Sequence, residues 1–203
     1  MKLNIGSSSC HLNGWINLEK DESYWRPHTF SNANINEFAT RAMPDVFCDA
    51  VDLSSLYKDN TFDVIRSAHV LEHVGQTSVL KTLKEWRRVL KPGGICRVVV
   101  PDGMYFIERL VNKKDHMDFW KAMMNDPGLY MESELHQPFT LVDEAFAAAM
   151  YLNGHHVTCF TPELLKHQMT LAGFKNIEDC TVDEQGIPDV TVHEASLRLK
   201  GIK

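Results

Sequence analysis

Short apolar runs between turn residues recur along the chain at residues 2–6, 15–19, 46–48, 62–65 and 96–100, and runs of this length read as buried strands. Between the last two, Val79, Leu83, Trp86 and Leu90 fall at helical spacing on one face. Lys91-Pro92-Gly93-Gly94 then stops the helix and turns the chain. Strand, helix, turn and strand in that order predict a right-handed βαβ unit with two parallel neighbours. Ligands of such sheets bind at the carboxyl ends of the strands, so residues 67–73 and Asp102 are placed where chemistry would occur.

After Asp102 the pattern turns helical over residues 105–111, 117–124 and 142–152, with Asn125-Asp126-Pro127-Gly128 as a turn. Residues 112–154 are methionine-bearing and read as a cap over the sheet rim, or else as two ordinary packing helices. Thr161 as N-cap, Pro162 at the first helical position and Gly173 past the end delimit another helix. Strands are predicted from Phe174 and over 195–199, joined through Gly186-Ile187-Pro188-Asp189 as an antiparallel hairpin at one edge. Residues 21–44 read as an irregular excursion with one short helix over 36–42, and Asp59-Asn60 as the turn into the central strand.

At 203 residues, with 44% hydrophobic and 24% charged positions, the chain fits a single globular domain spanning 1–203. A net charge of -6 argues against a general nucleic-acid or anionic-membrane binder, because phosphate recognition needs a positive surface, and leaves room only for a local basic patch. Cys10, Cys48, Cys96, Cys159 and Cys180 form no C-x-x-C pair and read as reduced core residues. No basic, apolar leader and no membrane-length apolar run is present, which predicts a soluble, cytoplasmic protein. The first turn lacks G-x-G-x-x-G, which places a nucleotide-binding oxidoreductase low.

The rim holds the candidate chemistry. Gly6-Ser7-Ser8-Ser9 is a small-residue turn whose N–H groups could face a carboxylate or phosphate. Glu19 ends the second strand, where an acid accepts from ribose hydroxyls; the alternative is a solvated glutamate. Asp49 and Asp52 follow the third strand on the same rim. Adjacent His155 and His156 would point to opposite faces of an extended chain, so no metal site is expected from that pair.

Taken in order, Leu3-Asn4-Ile5-Gly6, Gly14-Trp15-Ile16-Asn17-Leu18-Glu19, Asp52-Leu53, Phe62-Asp63-Val64-Ile65, His69-Val70-Leu71-Glu72-His73, Arg88-Val89-Leu90-Lys91-Pro92-Gly93-Gly94 and Ala172-Gly173-Phe174 resemble the class I S-adenosylmethionine-dependent methyltransferases of the small type-eleven group. The likeness covers nearly the whole chain. It implies a doubly wound α/β fold with seven mostly parallel strands in the order 3-2-1-4-5-7-6, the last antiparallel, and helices on both faces. It also implies S-adenosylmethionine as cofactor, with Gly6, Ser7 and Ser8 at its amino-acid end, Glu19 on the ribose, Asp52 and Leu53 at the adenine, and Ala68 and His69 beside the methionine. Asp49 is the alternative adenine acid.

The expected partner is a small or medium acceptor. Acceptor-side base candidates are His155 and Asp102, with His69, His73, His136 and His156 as further histidines near the rim. One departure from the family pattern stands out: its first turn usually reads Gly-Cys-Gly, and Ser8 replaces the second glycine. The alternative reading is therefore a binding or accessory module with weakened cofactor binding and no catalysis.

Overall fold

The computed structural model describes residues 1–7, 11–22, 39–40, 42–126, 137–151, 154–180 and 195–203. Seven strands, β1 (Lys2–Ile5), β2 (Ile16–Glu19), β3 (Val46–Phe47), β4 (Phe62–Ala68), β5 (Leu90–Pro101), β6 (Lys175–Asp179) and β7 (Ser196–Ile202), form one sheet in the order β3-β2-β1-β4-β5-β7-β6. The pairs from β3 through β5 are parallel. Strand β7 runs antiparallel to both of its neighbours. This is the expected order with the expected reversed strand. Strands follow outward in chain order from β1 to β3 on one side and from β4 to β5 on the other, so the crevice between the carboxyl ends of β1 and β4 is the switch point at which such sheets bind ligands.

Among the described residues five α-helices accompany the sheet: α1 (Gln76–Val89), α2 (Gly103–Val111), α3 (Met117–Met124), α4 (Val142–Tyr151) and α5 (Pro162–Leu171). Val79, Leu83, Trp86 and Val89 of α1 are fully buried and share one core with Leu3, Ile5 and Ile65 of the strands and with Leu165 and Met169 of α5. Trp86 also donates its indole N–H to the Ala50 carbonyl at 2.9 Å, which ties α1 to the loop after β3. Thr161 caps α5 by accepting from Leu164 N at 3.2 Å, with Pro162 opening the helix and Gly173, at φ +96°, just past its end. On the other face of β1, β2 and β4 lie the buried polar side chains of Asn4, Asn17 and Arg66, beside a small cluster of Leu12, Trp15 and Val64.

Helices α2, α3 and α4 gather around the fully buried Trp120, with Phe106, Ala145, Ala149 and Met150, into a second hydrophobic cluster. Of these, α3 and α4 fall within residues 112–154, and α2 precedes them. The residues between α3 and α4 at 127–136 lie outside those described, and His136 with them.

Three local expectations are corrected. Lys91-Pro92-Gly93-Gly94 does not separate helix from strand: β5 begins at Leu90, which pairs with Phe62, and Ile95 pairs with Val64, so two steps along β4 span five along β5. The surplus is taken up as a bulge. Gly93 stands at φ +78°, and a Cβ on Gly94 would sit 2.9 Å from the Lys91 carbonyl, so both positions suit glycine. The short helix expected over 36–42 lies mostly outside the described residues, but Ala39–Thr40 is extended and pairs antiparallel with His11–Leu12. Finally, Cys96 and Cys180 are buried as expected, whereas Cys159 is exposed. Among the described residues no helix is long and apolar enough to cross a membrane. The turn expected at residues 186–189 lies outside the described residues.

Candidate active site

The register of the central strands brings the predicted rim residues level. Ile5 pairs with Leu18 on one side and with Ser67 on the other, so Gly6, Glu19 and Ala68 follow at the same height. Gly6 has φ +71°, and a Cβ there would lie 2.0 Å from Val70 Cγ2. Both its conformation and its contact with Val70 therefore require glycine. The N–H groups of Gly6 and Ser7, expected to face a ligand, instead donate to the Leu18 carbonyl at 2.9 and 3.1 Å. The turn curls back onto β2. What Ser7 offers to the crevice is its hydroxyl, which is buried and has no partner among the described residues; the Ser67 hydroxyl at the end of β4 is in the same condition. Ser8 lies outside the described residues.

Glu19 is buried at the end of β2, and its Oε1 accepts from Lys20 N at 2.9 Å, which orients the carboxylate on the rim. Beyond β3, Asp49 accepts from Val51 N and Asp52 from Ser54 N, each at 3.0 Å, so both carboxylates are fixed by the turn they stand in. Those hydrogen bonds from Ser54 hold Asp52 below the usual carboxylate range. Leu53 differs from its neighbours. Its side chain is fully buried in the main core and its N–H donates to Glu85 Oε1 at 2.9 Å, so it faces away from the rim.

After Ala68 the chain enters an unusual conformation. His69 stands at φ +54°, one of three non-glycine residues among those described with positive φ, a state costing roughly 1–2 kcal/mol for a residue with a Cβ. It is held there by its N–H to the Val99 carbonyl at 2.9 Å and by its ring, with Nδ1 3.1 Å from Glu72 Oε1 and Nε2 3.5 Å from Ser196 Oγ. Strain retained at a strand end on the ligand-binding rim is a mark of a functional position.

The single helical turn Leu71–His73 follows, and the segment 155–158 is stitched to it. The Glu72 carbonyl accepts from Val157 N and Thr158 N at 2.9 and 3.0 Å, the Thr158 hydroxyl donates to Val74 O at 2.7 Å, and His73 Nδ1 donates to His155 O at 2.9 Å. This brings His156 against Glu72 and His73. Burial lowers the His156 imidazole below its ordinary value, with Glu72 opposing the shift. Of the two predicted catalytic residues, Asp102 caps α2 by accepting from Met104 N at 2.9 Å, and His155 has an exposed side chain whose backbone serves His73. Gly103 begins that helix because a Cβ would lie 2.5 Å from Cys159 Sγ.

Residues 29–105 match the family model described as a methyltransferase domain. A segment of 40 residues is 55% identical to a protein named "Probable methyltransferase ltbC" from Aspergillus luteorubrus, covering 19% of this chain and 14% of that protein. Over these residues the chain is similar to methyltransferases. In its fold the chain is similar to an S-adenosylmethionine-dependent methyltransferase from Archaeoglobus fulgidus, with a TM-score of 0.54 at 14% identity over 100% of this chain and 85% of that one. It is similar also to the CurJ carbon methyltransferase, with a TM-score of 0.53 at 16% identity over 99% of this chain and 47% of that one. The family match begins only at residue 29, so Gly6 and Glu19 lie outside it, and the sheet register places them at the switch point.

Two features of the site had no signal in the sequence. Val70 was one residue of a motif, yet it is the side chain that makes Gly6 obligatory. Glu72 and His156 meet only through the fold, 84 residues apart, and spacing cannot reveal a pairing made by tertiary hydrogen bonds.

Proposed function

We propose that this chain transfers the methyl group of S-adenosylmethionine to a small or medium-sized acceptor. The observation that carries the reading is the pair of buried hydroxyls, Ser7 Oγ and Ser67 Oγ, without partners among the described residues, at the ends of β1 and β4 beside Glu19. A buried polar group left unpaired costs about 1–3 kcal/mol, which a polar ligand seated there removes. The cofactor's amino-acid end and ribose diol are such a ligand, and the glycine turn lets the backbone pass close to it. When bound, the cofactor supplies an electrophilic methyl on its sulfonium, and the protein's task is to hold that methyl in line with the acceptor.

In this assignment Gly6, Ser7 and Ser8 take the amino-acid end, Glu19 the ribose, Asp52 the adenine edge with Leu53 contributing backbone only, and Ala68 and His69 the methionine side. The helices α2, α3 and α4 form the acceptor-side cap. Isothermal titration with S-adenosylhomocysteine tests the reading: saturable binding is expected, and Glu19→Ala loosens it by about tenfold, the equivalent of one lost charge-assisted hydrogen bond. No heat at millimolar ligand would overturn the enzyme reading. The same titration addresses the accessory-module alternative suggested by Ser8, since tight binding by the unaltered chain removes its motive.

On the acceptor side, His155 is accessible and Asp102 stands at the end of β5, and these are the proposed proton acceptors. His155→Ala is expected to lower turnover with an acceptor several-fold while S-adenosylhomocysteine affinity stays unchanged. A lower melting temperature with normal turnover per folded molecule would assign His155 a structural role instead.

A further inference from the structure

We propose that Glu72, His73 and His156 form a binding site for one divalent transition-metal ion of the class that zinc represents. Each offers one ligand atom, and the three atoms lie within 4.8 Å of one another. Two imidazoles and one carboxylate make a borderline donor set that suits zinc, cobalt or nickel and is poorly matched to calcium or magnesium, which take oxygen. Around a tetrahedral ion with bonds of about 2.0–2.2 Å, ligand atoms stand about 3.3 Å apart, so the three side chains close by up to about 1.5 Å on binding.

Three independent observations favour an ion over a plain hydrogen-bonded cluster. The first is ring orientation. His73 Nδ1 donates to the His155 carbonyl at 2.9 Å, which fixes the tautomer and leaves Nε2 as the nitrogen with a lone pair. His156 Nε2 stands 4.0 Å from Glu72 Oε1. A backbone carbonyl that orients an imidazole, as that of His155 orients His73, is a usual outer-shell partner of a histidine metal ligand.

The second is an unpaired oxygen. The Glu72 side chain is only 1% exposed, and its Oε2 has no partner among the described residues. A buried carboxylate with an orphan oxygen is costly unless a cation completes it. His69, with Nδ1 3.1 Å from Glu72 Oε1, satisfies the other oxygen only.

The third is the rigidity of the frame. Four hydrogen bonds fasten the segment 155–158 to the turn after β4, so the third ligand is positioned by backbone and not by side-chain chance. The rings of His73 and His156 stand edge to face with centroids 4.9 Å apart. His73 is exposed, which gives the ion an entry path and leaves a coordination position open to solvent. Within the chain, His69-x-x-Glu72-His73 supplies the local part of the constellation and His156 completes it from a distance. The inference does not depend on methyl transfer, because its readout is metal binding alone.

The test is titration of the chelator-stripped, tag-free chain with zinc by calorimetry, and with cobalt by visible absorption. One saturable equivalent is expected. His73→Ala and His156→Ala should each weaken zinc by about tenfold or more, while His167→Ala on α5 changes nothing. Glu72→Gln should also weaken it without loss of volume. Because His73 is exposed, His73→Ala keeps the fold even if the buried variants do not, and its affinity decides by itself. Unchanged zinc affinity in His73→Ala, or no saturable site in the unaltered chain, overturns the proposal and leaves the cluster as an ion-paired clasp.

Discussion

Gly6→Ala is expected to lower the melting temperature by about 10 °C and to weaken S-adenosylhomocysteine at least about tenfold. Two costs add. An alanine at φ +71° pays roughly 1–2 kcal/mol for the left-handed conformation, and its Cβ would lie 2.0 Å from Val70 Cγ2, an overlap no side chain tolerates without movement. Forcing a methyl into such a contact costs about 1–3 kcal/mol, and a chain of this size loses about 2–4 °C per kcal/mol. Affinity falls because the turn that must move is the one that carries Ser7 to the crevice. The double variant Gly6→Ala/Val70→Ala separates the costs: it recovers the overlap but not the backbone strain, so stability returns in part. A single variant with normal melting and normal affinity would show that the turn is neither constrained nor part of the site.

The parallel core was legible because its signals are local. The run 62–65, the helical stripe of Val79, Leu83 and Trp86, and the apolar run 96–100 each state their own period, and the right-handed crossover rule leaves one way to join them. The order of the outer strands came from likeness to a family, and the register confirms it. What was not legible depends on contacts between distant residues. The bulge at Gly93 and Gly94 arises because the terminal Lys203 exchanges backbone hydrogen bonds with both glycines, at 3.3 and 2.9 Å, and a turn signature cannot announce a partner at the other end of the chain. Residues 39–40 form a strand because His11–Leu12 is there to pair with them, against a local pattern that suggested a helix. At the rim, residue types predicted position but not the direction of their bonds. Gly6 and Ser7 were expected to turn their N–H groups outward, and the Leu18 carbonyl captures both.

Asn17 is the residue whose importance the sequence hides most completely, and Asn17→Leu is expected to cost about 3–5 kcal/mol, lowering the melting temperature by about 10 °C. In the strand pattern it is only the polar position between Ile16 and Leu18. In the fold it is fully buried: its Oδ1 accepts from Leu12 N at 2.8 Å and from Asn4 Nδ2 at 3.0 Å, and its Nδ2 donates to Leu12 O, Trp15 O and Asp45 Oδ2, each at 3.1 Å. Through Asn4 the network continues to Arg66 at 3.0 Å, and so crosses three adjacent strands, β2, β1 and β4. Asp45 is fixed from the same centre. Burial pushes its carboxyl up, but hydrogen bonds from the Asn17 N–H and side chain and from His11 outweigh it and hold it below the ordinary carboxylate range. Leucine matches asparagine in branching but offers no polar atom, so the Leu12 N–H and the Leu12 and Trp15 carbonyls lose the partner that the side chain supplied, in a place water does not reach freely. Glu19 sits two residues further along β2, so the same variant is expected to weaken S-adenosylhomocysteine as the strand end loosens, an effect that a purely apolar core change such as Leu83→Ala would show only through its loss of stability. Thermal melting of Asn17→Leu within about 2 °C of the unaltered chain would mean that the surrounding backbone finds other partners, and that the polar face of the sheet is held by Leu12 and Trp15 packing alone.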